Sequence, residues 1–334
     1  MRIENSIELN YDDVLILPKR SSIQSRKDIQ LTRTFRMPHT GQHFICLPIF
    51  AANMSVVGTL RMASELMKQL ACCCLHKFYE PTVLIDFFTS HRSNKSIHSF
   101  YTLGVRNNDL EKLQYVASKI PIKRICIDAA NGYTQFFVNR VKTIRKLFPN
   151  CILIAGNVCT SEMVQELILE GADIVKIGIG PGSLCTTRTM TGIGRPQLSA
   201  VIDCADAAHG LGGFIMADGG CKTPADIAKA FGAGADFVML GGMLAGTDEC
   251  GGLHTNKGLQ VYGMSSREAQ EQYYGGVKDY CAPEGRCSIV PFKGPVANVI
   301  KEIKGGLRSA CAYVGAKSLK DLSKCTTFVR TNHA

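Results

Sequence analysis

Gly171-Ala-Asp-Ile-Val175 returns as Gly234-Ala-Asp-Phe-Val238, with starts 63 residues apart (234 − 171). In each copy a glycine ends an amphipathic stretch and an apolar run follows, the pattern of a helix delivering the chain into a strand. The spacing is that of about two strand–helix units. The same alternation extends outward in both directions. Apolar runs at 44–52, 71–75, 100–104, 124–128, 152–157, 173–178, 214–218 and 236–241 are separated by stretches with helical pairs such as Met163/Leu167 and Val164/Ile168. Thr223-Pro224-Ala-Asp226 supplies an N-cap, a first-turn proline and a first-turn acid, so a helix is expected from there to about Gly232. Eight strand–helix units predict a closed (β/α)8 TIM barrel of the α/β class rather than an open sheet. Residues 1–334 are expected to form a single barrel domain. The last helix, at 296–314, is delayed by a polar, glycine-rich stretch at about 246–294, which is expected to be an irregular flap inserted after strand 8.

Hydrophobic residues make up 46% of the chain and charged ones 20%, which describes a soluble α/β globule. No apolar run approaches the roughly 18–20 residues of a membrane span, so no membrane partner is expected. Met1–Glu8 has no apolar signal core, and Thr331-Asn-His-Ala334 carries no lipidation or peroxisomal address. A cytoplasmic location follows as the default. Fifteen cysteines with no Cys-x-x-Cys pair fit a reducing compartment better than disulfides or zinc, and Cys72-Cys73-Cys74 reads as strand core. The net charge of +10 is spread among acids and lacks an aromatic-laced stripe, which argues against nucleic acid. It suits an anionic small substrate.

The most chemical stretch is Gly178-Ile-Gly-Pro-Gly-Ser-Leu-Cys185, followed by Thr186-Thr187-Arg188. Its glycines permit positive φ and close approach to a ligand. A thiol beside a hydroxyl and a guanidinium has the surroundings of a nucleophile. A tight turn with a packed cysteine explains the same string equally well. It is neither a dinucleotide fingerprint, since Ser183 occupies the third glycine position, nor a Walker A loop.

Polar residues fall at the C-terminal ends of the expected strands: Asn53-Met54, His76-Lys77, Asp128, Asn157, the cysteine turn, Asp218-Gly219-Gly220 and Gly241-Gly242. Singly, each is compatible with turn or cap chemistry. Together they resemble the ligand-binding face of a barrel, and the last two follow strands 7 and 8, where barrels commonly hold phosphate.

These residues resemble the IMP dehydrogenase/GMP reductase family over nearly the whole chain. Gly-Ile-Gly-Pro-Gly-Ser-x-Cys-Thr-Thr-Arg matches its cysteine loop. Asp128-Ala-Ala-Asn-Gly-Tyr133, Ala155-Gly-Asn-Val158, Cys204-Ala-Asp-Ala-Ala-His-Gly210 and Tyr262-Gly-Met-Ser-Ser266 are similar to its GMP reductase members. The resemblance implies NADPH-dependent reductive deamination of GMP to IMP, with release of ammonia, through a thioimidate on Cys185. It implies Thr187 and Glu284 as the proton relay. Ser183, Asp218, Gly219, Gly220, Gly241 and Gly242 would hold phosphate and ribose, with Asn157 nearby. Gly263, Met264, Ser265, Cys281, Ala282, Pro283 and Gly285 would complete the substrate site. Lys77, Asp128, Ala129, Ala130, Ile179, Gly180, Met264, Tyr280 and Cys281 would meet the cofactor's nicotinamide half. Ser25, Arg26, Ser309, Ala310, Cys311 and Ala312 would meet its adenosine end, with Arg26 on the 2′-phosphate. A monovalent cation, K⁺, would rest mainly on carbonyls of Gly180, Gly182, Cys185 and Arg188. A homotetramer is implied as well.

Ser55 stands where the family usually has Asp, and Cys281 and Pro283 replace an Arg and a Ser in the flap motif. Arg195, where an aromatic is common, could restore a cation nearby. Two other readings remain. An IMP dehydrogenase would need an Arg-Tyr pair, which 246–294 lacks, and usually carries paired regulatory (CBS) modules, for which there is no room. A catalytically silent nucleotide-binding barrel would have no use for Cys185, Thr187 and Glu284.

Overall fold

A computed structural model of the chain describes residues 3–90 and 98–331. Met1, Arg2 and 332–334, which the terminal expectations touched, lie outside the described residues. Eight parallel strands close into a barrel in sequence order: β1 (Ile49–Ala51), β2 (Cys72–Cys74), β3 (Ser99–Leu103), β4 (Arg124–Asp128), β5 (Ile152–Val158), β6 (Ile174–Ile177), β7 (Phe214–Asp218) and β8 (Phe237–Leu240). Side chains alternate between two cores, as the two-residue period of a strand requires. Cys72 and Cys74, Ile152 and Ile154, Met216, and Phe237 and Met239 fill the interior. Cys73, Leu153, Ile215, Ala217, Val238 and Leu240 face the surrounding helices.

The expected first strand, 44–52, is really two. His43–Cys46 pairs with Arg33–Arg36 in an antiparallel hairpin, and only Ile49–Ala51 joins the barrel. Pro48 lies at the break; it has no N–H for a ladder, and its carbonyl accepts from Val238 instead. Phe35, Met37 and Phe44 of this hairpin segment pack on Phe50, Phe100 and Phe237, closing the bottom of the barrel.

Around the strands run α1 (Leu60–Met67), α2 (Pro81–Ser90), α3 (Asn107–Lys119), α4 (Gln135–Leu147), α5 (Ser161–Leu169), α6 (Gln197–Gly210) and α7 (Pro224–Gly232). The cap expected for α7 is present and reciprocal: Thr223 Oγ1 accepts from the Asp226 amide, and Asp226 Oδ2 accepts from the Thr223 amide at 2.9 Å. Two consecutive βα units do separate Gly171 from Gly234, since α5 leads into β6 and α7 into β8.

The stretch after β8 is not irregular. Strands β9 (His254–Thr255), β10 (Gly258–Tyr262) and β11 (Cys287–Val290) form an antiparallel sheet. Helix α8 (Arg267–Tyr274), capped by Ser266 and ended by Gly275 at φ +74°, lies within it. Leu259 and Val261 give this flap its own buried stripe, a period-two signal that the many polar and glycine residues obscure. Then α9 (Val296–Val314) closes the barrel wall.

Candidate active site

The cysteine loop leaves β6 at the C-terminal face. Gly178 and Gly180 take φ of +146° and +81°, conformations open to glycine. A Cβ on Gly178 would meet the Asp218 carbonyl at 2.2 Å, so the loop runs directly against the end of β7. The Cys185 amide donates to Gly182 O at 3.0 Å, bending the loop back on itself. Cys185 is half-buried, and its Sγ lies 3.2 Å from Thr187 Oγ1. Thr187 Oγ1 in turn donates to Glu284 Oε2 at 2.7 Å. A threonine hydroxyl has one proton, and it is given to Glu284; the thiol is therefore the donor to Thr187. Three side chains from two distant segments thus form one proton path from sulfur to carboxylate.

The flap supplies Glu284 by docking as a short strand on the loop. Gly285 bridges Cys185, the Thr186 amide donates to Glu284 O at 3.0 Å, and the Arg286 amide donates to Leu184 O at 2.9 Å. The Glu284 amide donates to Ser265 O, which ties Gly263–Ser266 into the same layer. Gly263 and Gly285 leave no room for side chains: a Cβ would lie 2.8 Å from Leu184 O in one case and 2.9 Å from Ser266 N in the other. At the flap's base, Ser55 Oγ donates to Tyr262 OH at 3.2 Å, and its amide approaches Met264 Sδ at 3.3 Å. A serine standing for Asp therefore keeps a hold on the flap.

The glycine turns face the loop. A Cβ on Gly242 would come 2.9 Å from Ser183 Oγ, and one on Gly219 would come 3.0 Å from the Gly182 amide. Gly219 and Gly220 both have φ of +87°. Amides and a hydroxyl gathered this way make an anion cradle. Gly241 abuts Met54, and Gly220 abuts the Tyr11 ring. Asn157 Nδ2 donates to both Gly178 O and Asp218 Oδ2 at 2.9 Å, fixing the carboxylate beside the loop.

On the opposite side of the mouth, Asp128 pairs with Lys176, which also lies 3.5 Å from Asp218. Burial alone would raise the Asp128 carboxyl; the Lys176 ammonium, the Asn53 amide and Lys77 hold it below its ordinary value. Lys77 pairs with Asp109 at 3.7 Å, in a space that only Gly104 leaves open. Ala129 is half-buried, Ala130 exposed and Ile179 buried.

Other expected residues lie apart from this centre or differ in exposure. Tyr280, Cys281 and Ala282 are exposed, and Pro283 is half-buried. The turn Arg26–Asp28, capped by Ser25, packs against α9, the helix that carries Ser309, Ala310 and Ala312. Cys311 of that helix is fully buried, and burial pushes its thiol up to about 12. Arg195 does not serve the flap: its guanidinium is paired with Glu8 and Asp203. Arg188 donates from its side chain to Ile179 O and Arg195 O, so only its carbonyl could face a cation. Among the described residues no cluster of His, Cys, Asp or Glu offers a metal site. Lys176 and Arg286 escaped the sequence reading as site residues; a lysine inside an apolar strand was the available signal for the first.

The description of an IMP dehydrogenase / GMP reductase domain matches residues 8–334. The chain belongs to this family. Among curated relatives, GMP reductases of Escherichia coli O1:K1 and strain K12 are each 51% identical over 335 aligned residues, covering 99% of this chain and 96% of theirs. Among solved structures, a cysteine-to-alanine variant of Trypanosoma brucei GMP reductase, in complex with guanosine 5′-monophosphate, superposes with a TM-score of 0.84. It is 26% identical and spans 98% of this chain and 96% of its own. Family membership accounts for the closed barrel. Among the described residues, no helix is long and apolar enough to cross a membrane.

Proposed function

We propose that this chain is a GMP reductase: it converts GMP to IMP, consumes NADPH and releases ammonia. The observation that carries the mechanism is the hydrogen-bonded path Cys185–Thr187–Glu284 at the barrel mouth. Carbon 2 of guanine lies between two ring nitrogens and is open to a thiolate. The Cys185 proton passes through Thr187 to Glu284 as sulfur adds to that carbon. Glu284 then returns the proton, through Thr187, to the departing amine, and the C–N bond breaks. The ammonia formed carries the two amino hydrogens and the thiol proton, so the step balances without an outside acid. It leaves a thioimidate, the usual division of a hard substitution into two easier ones. NADPH, when bound, would supply the hydride for carbon 2, and Cys185 would leave with the electron pair of the C–S bond.

The substrate sits, in this reading, with its phosphate on Ser183, Gly219, Gly220, Gly241 and Gly242 and its ribose on Asp218. Gly263–Ser265 and Gly285 pack on the cysteine loop from above, where they would cover the purine. The cofactor's nicotinamide half belongs beside Lys77, Asp128, Gly180 and Met264. Arg26, exposed and able to grip a phosphate in a bidentate way, suits its 2′-phosphate. K⁺ would rest on carbonyl oxygens of Gly180, Gly182 and Cys185, donors of the kind it favours. Assembly as a homotetramer in the cytoplasm is part of the same reading.

The test is to mix protein, GMP and NADPH and to follow NADPH absorbance together with IMP and ammonia. One IMP per NADPH consumed supports the reading. Reduction of NAD by IMP instead would make the protein a dehydrogenase, and GMP binding without turnover would make it a silent barrel. Repeating the assay with K⁺ replaced by Na⁺ tests the cation.

A further inference from the structure

On β6 the interior-facing positions are Ile174 and Lys176, while Val175 and Ile177 face the helices. A lysine inside a barrel core is costly unless its charge is met. The Lys176 side chain is 1% exposed, so it has no room to touch a ligand bound at the mouth. Its ammonium pairs with Asp128 at the end of β4 and lies 3.5 Å from Asp218 Oδ2 at the end of β7. Gly156 on β5 opens the passage, because a Cβ there would come 2.6 Å from Lys176 Cβ and 2.7 Å from its carbonyl. The other titratable groups around this trio are the Cys126 and Cys74 thiols below, Lys77 beyond Asp128 and the Cys221 thiol near Asp218. Asn157 and Asn53 brace the two carboxylates from the sides.

We propose that Lys176 is a positioning residue that couples the substrate and cofactor sites, one cation shared between the ribose-side Asp218 and the nicotinamide-side Asp128. The inference rests on the roles given above to those two aspartates. Two carboxylates within reach of one ammonium repel each other once it is removed. Hydrogen bonds from ribose hydroxyls to Asp218 change how much of Lys176 remains for Asp128. By linkage, a cofactor on Asp128 alters GMP affinity by the same factor.

The experiment measures GMP binding by calorimetry, without NADPH, for wild type, Lys176→Met, Asp128→Asn and the double variant. Lys176→Met is expected to weaken GMP about tenfold at neutral pH. Asp128→Asn frees Lys176 to compete for Asp218 oxygens and weakens GMP about threefold, although Asp128 faces the cofactor. The double variant, with both charges gone, binds GMP better than Lys176→Met. Unchanged binding in Lys176→Met, or single effects that merely add in the double variant, would overturn the proposal. If Lys176→Met fails to fold, Asp128→Asn decides alone, and unaltered GMP affinity refutes the coupling. Wild-type protein that binds no GMP would sink the proposed substrate instead, a result separate from all of these.

Discussion

The cysteine loop leaves the end of a buried strand and is walled in by neighbouring strand ends, whereas the flap that meets it grows from a small three-stranded sheet outside the barrel. Gly178 presses on the end of β7 and Gly219 on Gly182, so the loop cannot shift without moving the barrel rim. The flap holds on by backbone hydrogen bonds to Leu184 and Thr186, and by Ser55 at its base. The proposed nucleophile is thus part of the scaffold, while its proposed proton acceptor sits on the docked flap. Loops on rigid scaffolds often divide labour this way, one half fixed and one half able to move.

Substitutions on each side should separate the two halves. Cys185→Ala removes the nucleophile and is expected to cut turnover by about 10⁴-fold or more while GMP still binds. Calorimetry with GMP beside a turnover assay checks this, and activity near wild type would refute the covalent step. Glu284→Gln keeps the flap's shape and deletes the proton acceptor. A loss of about 10²–10³-fold in kcat is expected, with little change in the KM for GMP. Gly285→Ala attacks docking itself, because its Cβ would lie 2.9 Å from the Ser266 amide. About a tenfold drop in kcat is expected with the melting temperature kept, since the barrel core is untouched. Equal kcat in that variant would mean that the relay does not depend on a docked strand. The smallest effect tests the scaffold alone. Thr223→Ala breaks the cap of α7 and should cost about 1 kcal/mol of stability, read by denaturant unfolding, with kcat unaltered.

The regions also differ in how plainly the sequence announces them. The barrel strands are legible because each must be apolar on both faces, and 124–128 and 214–218 emerge with the bounds expected. The turn chemistry of Thr223-Pro224-Ala-Asp226 likewise fixes its helix. The first strand misleads because the run 44–52 is apolar throughout, half of it for the hairpin that plugs the barrel; only Pro48 marks the division. The flap misleads in the opposite sense, since its sheet is mostly exposed and half its positions are polar or glycine. At the site, Thr187 and Glu284 lie 97 residues apart, and spacing alone could not join them. Resemblance to the family proposed the pairing. Arg195 shows where position in the chain is a poor guide, because Glu8 and Asp203, remote or adjacent in sequence, claim its charge. Lys176 shows the reverse: one charged letter inside an apolar strand is the local sign of the pairing that joins Asp128 to Asp218, two residues legible only as strand ends.

The hydrogen bond from Thr187 to Glu284 exists only where flap and loop are in contact. In the proposed reaction sulfur and carboxylate are joined only while Gly285 is seated on Cys185, so the contact that assembles the relay is also the one that covers it. Chemistry and enclosure would then begin and end together.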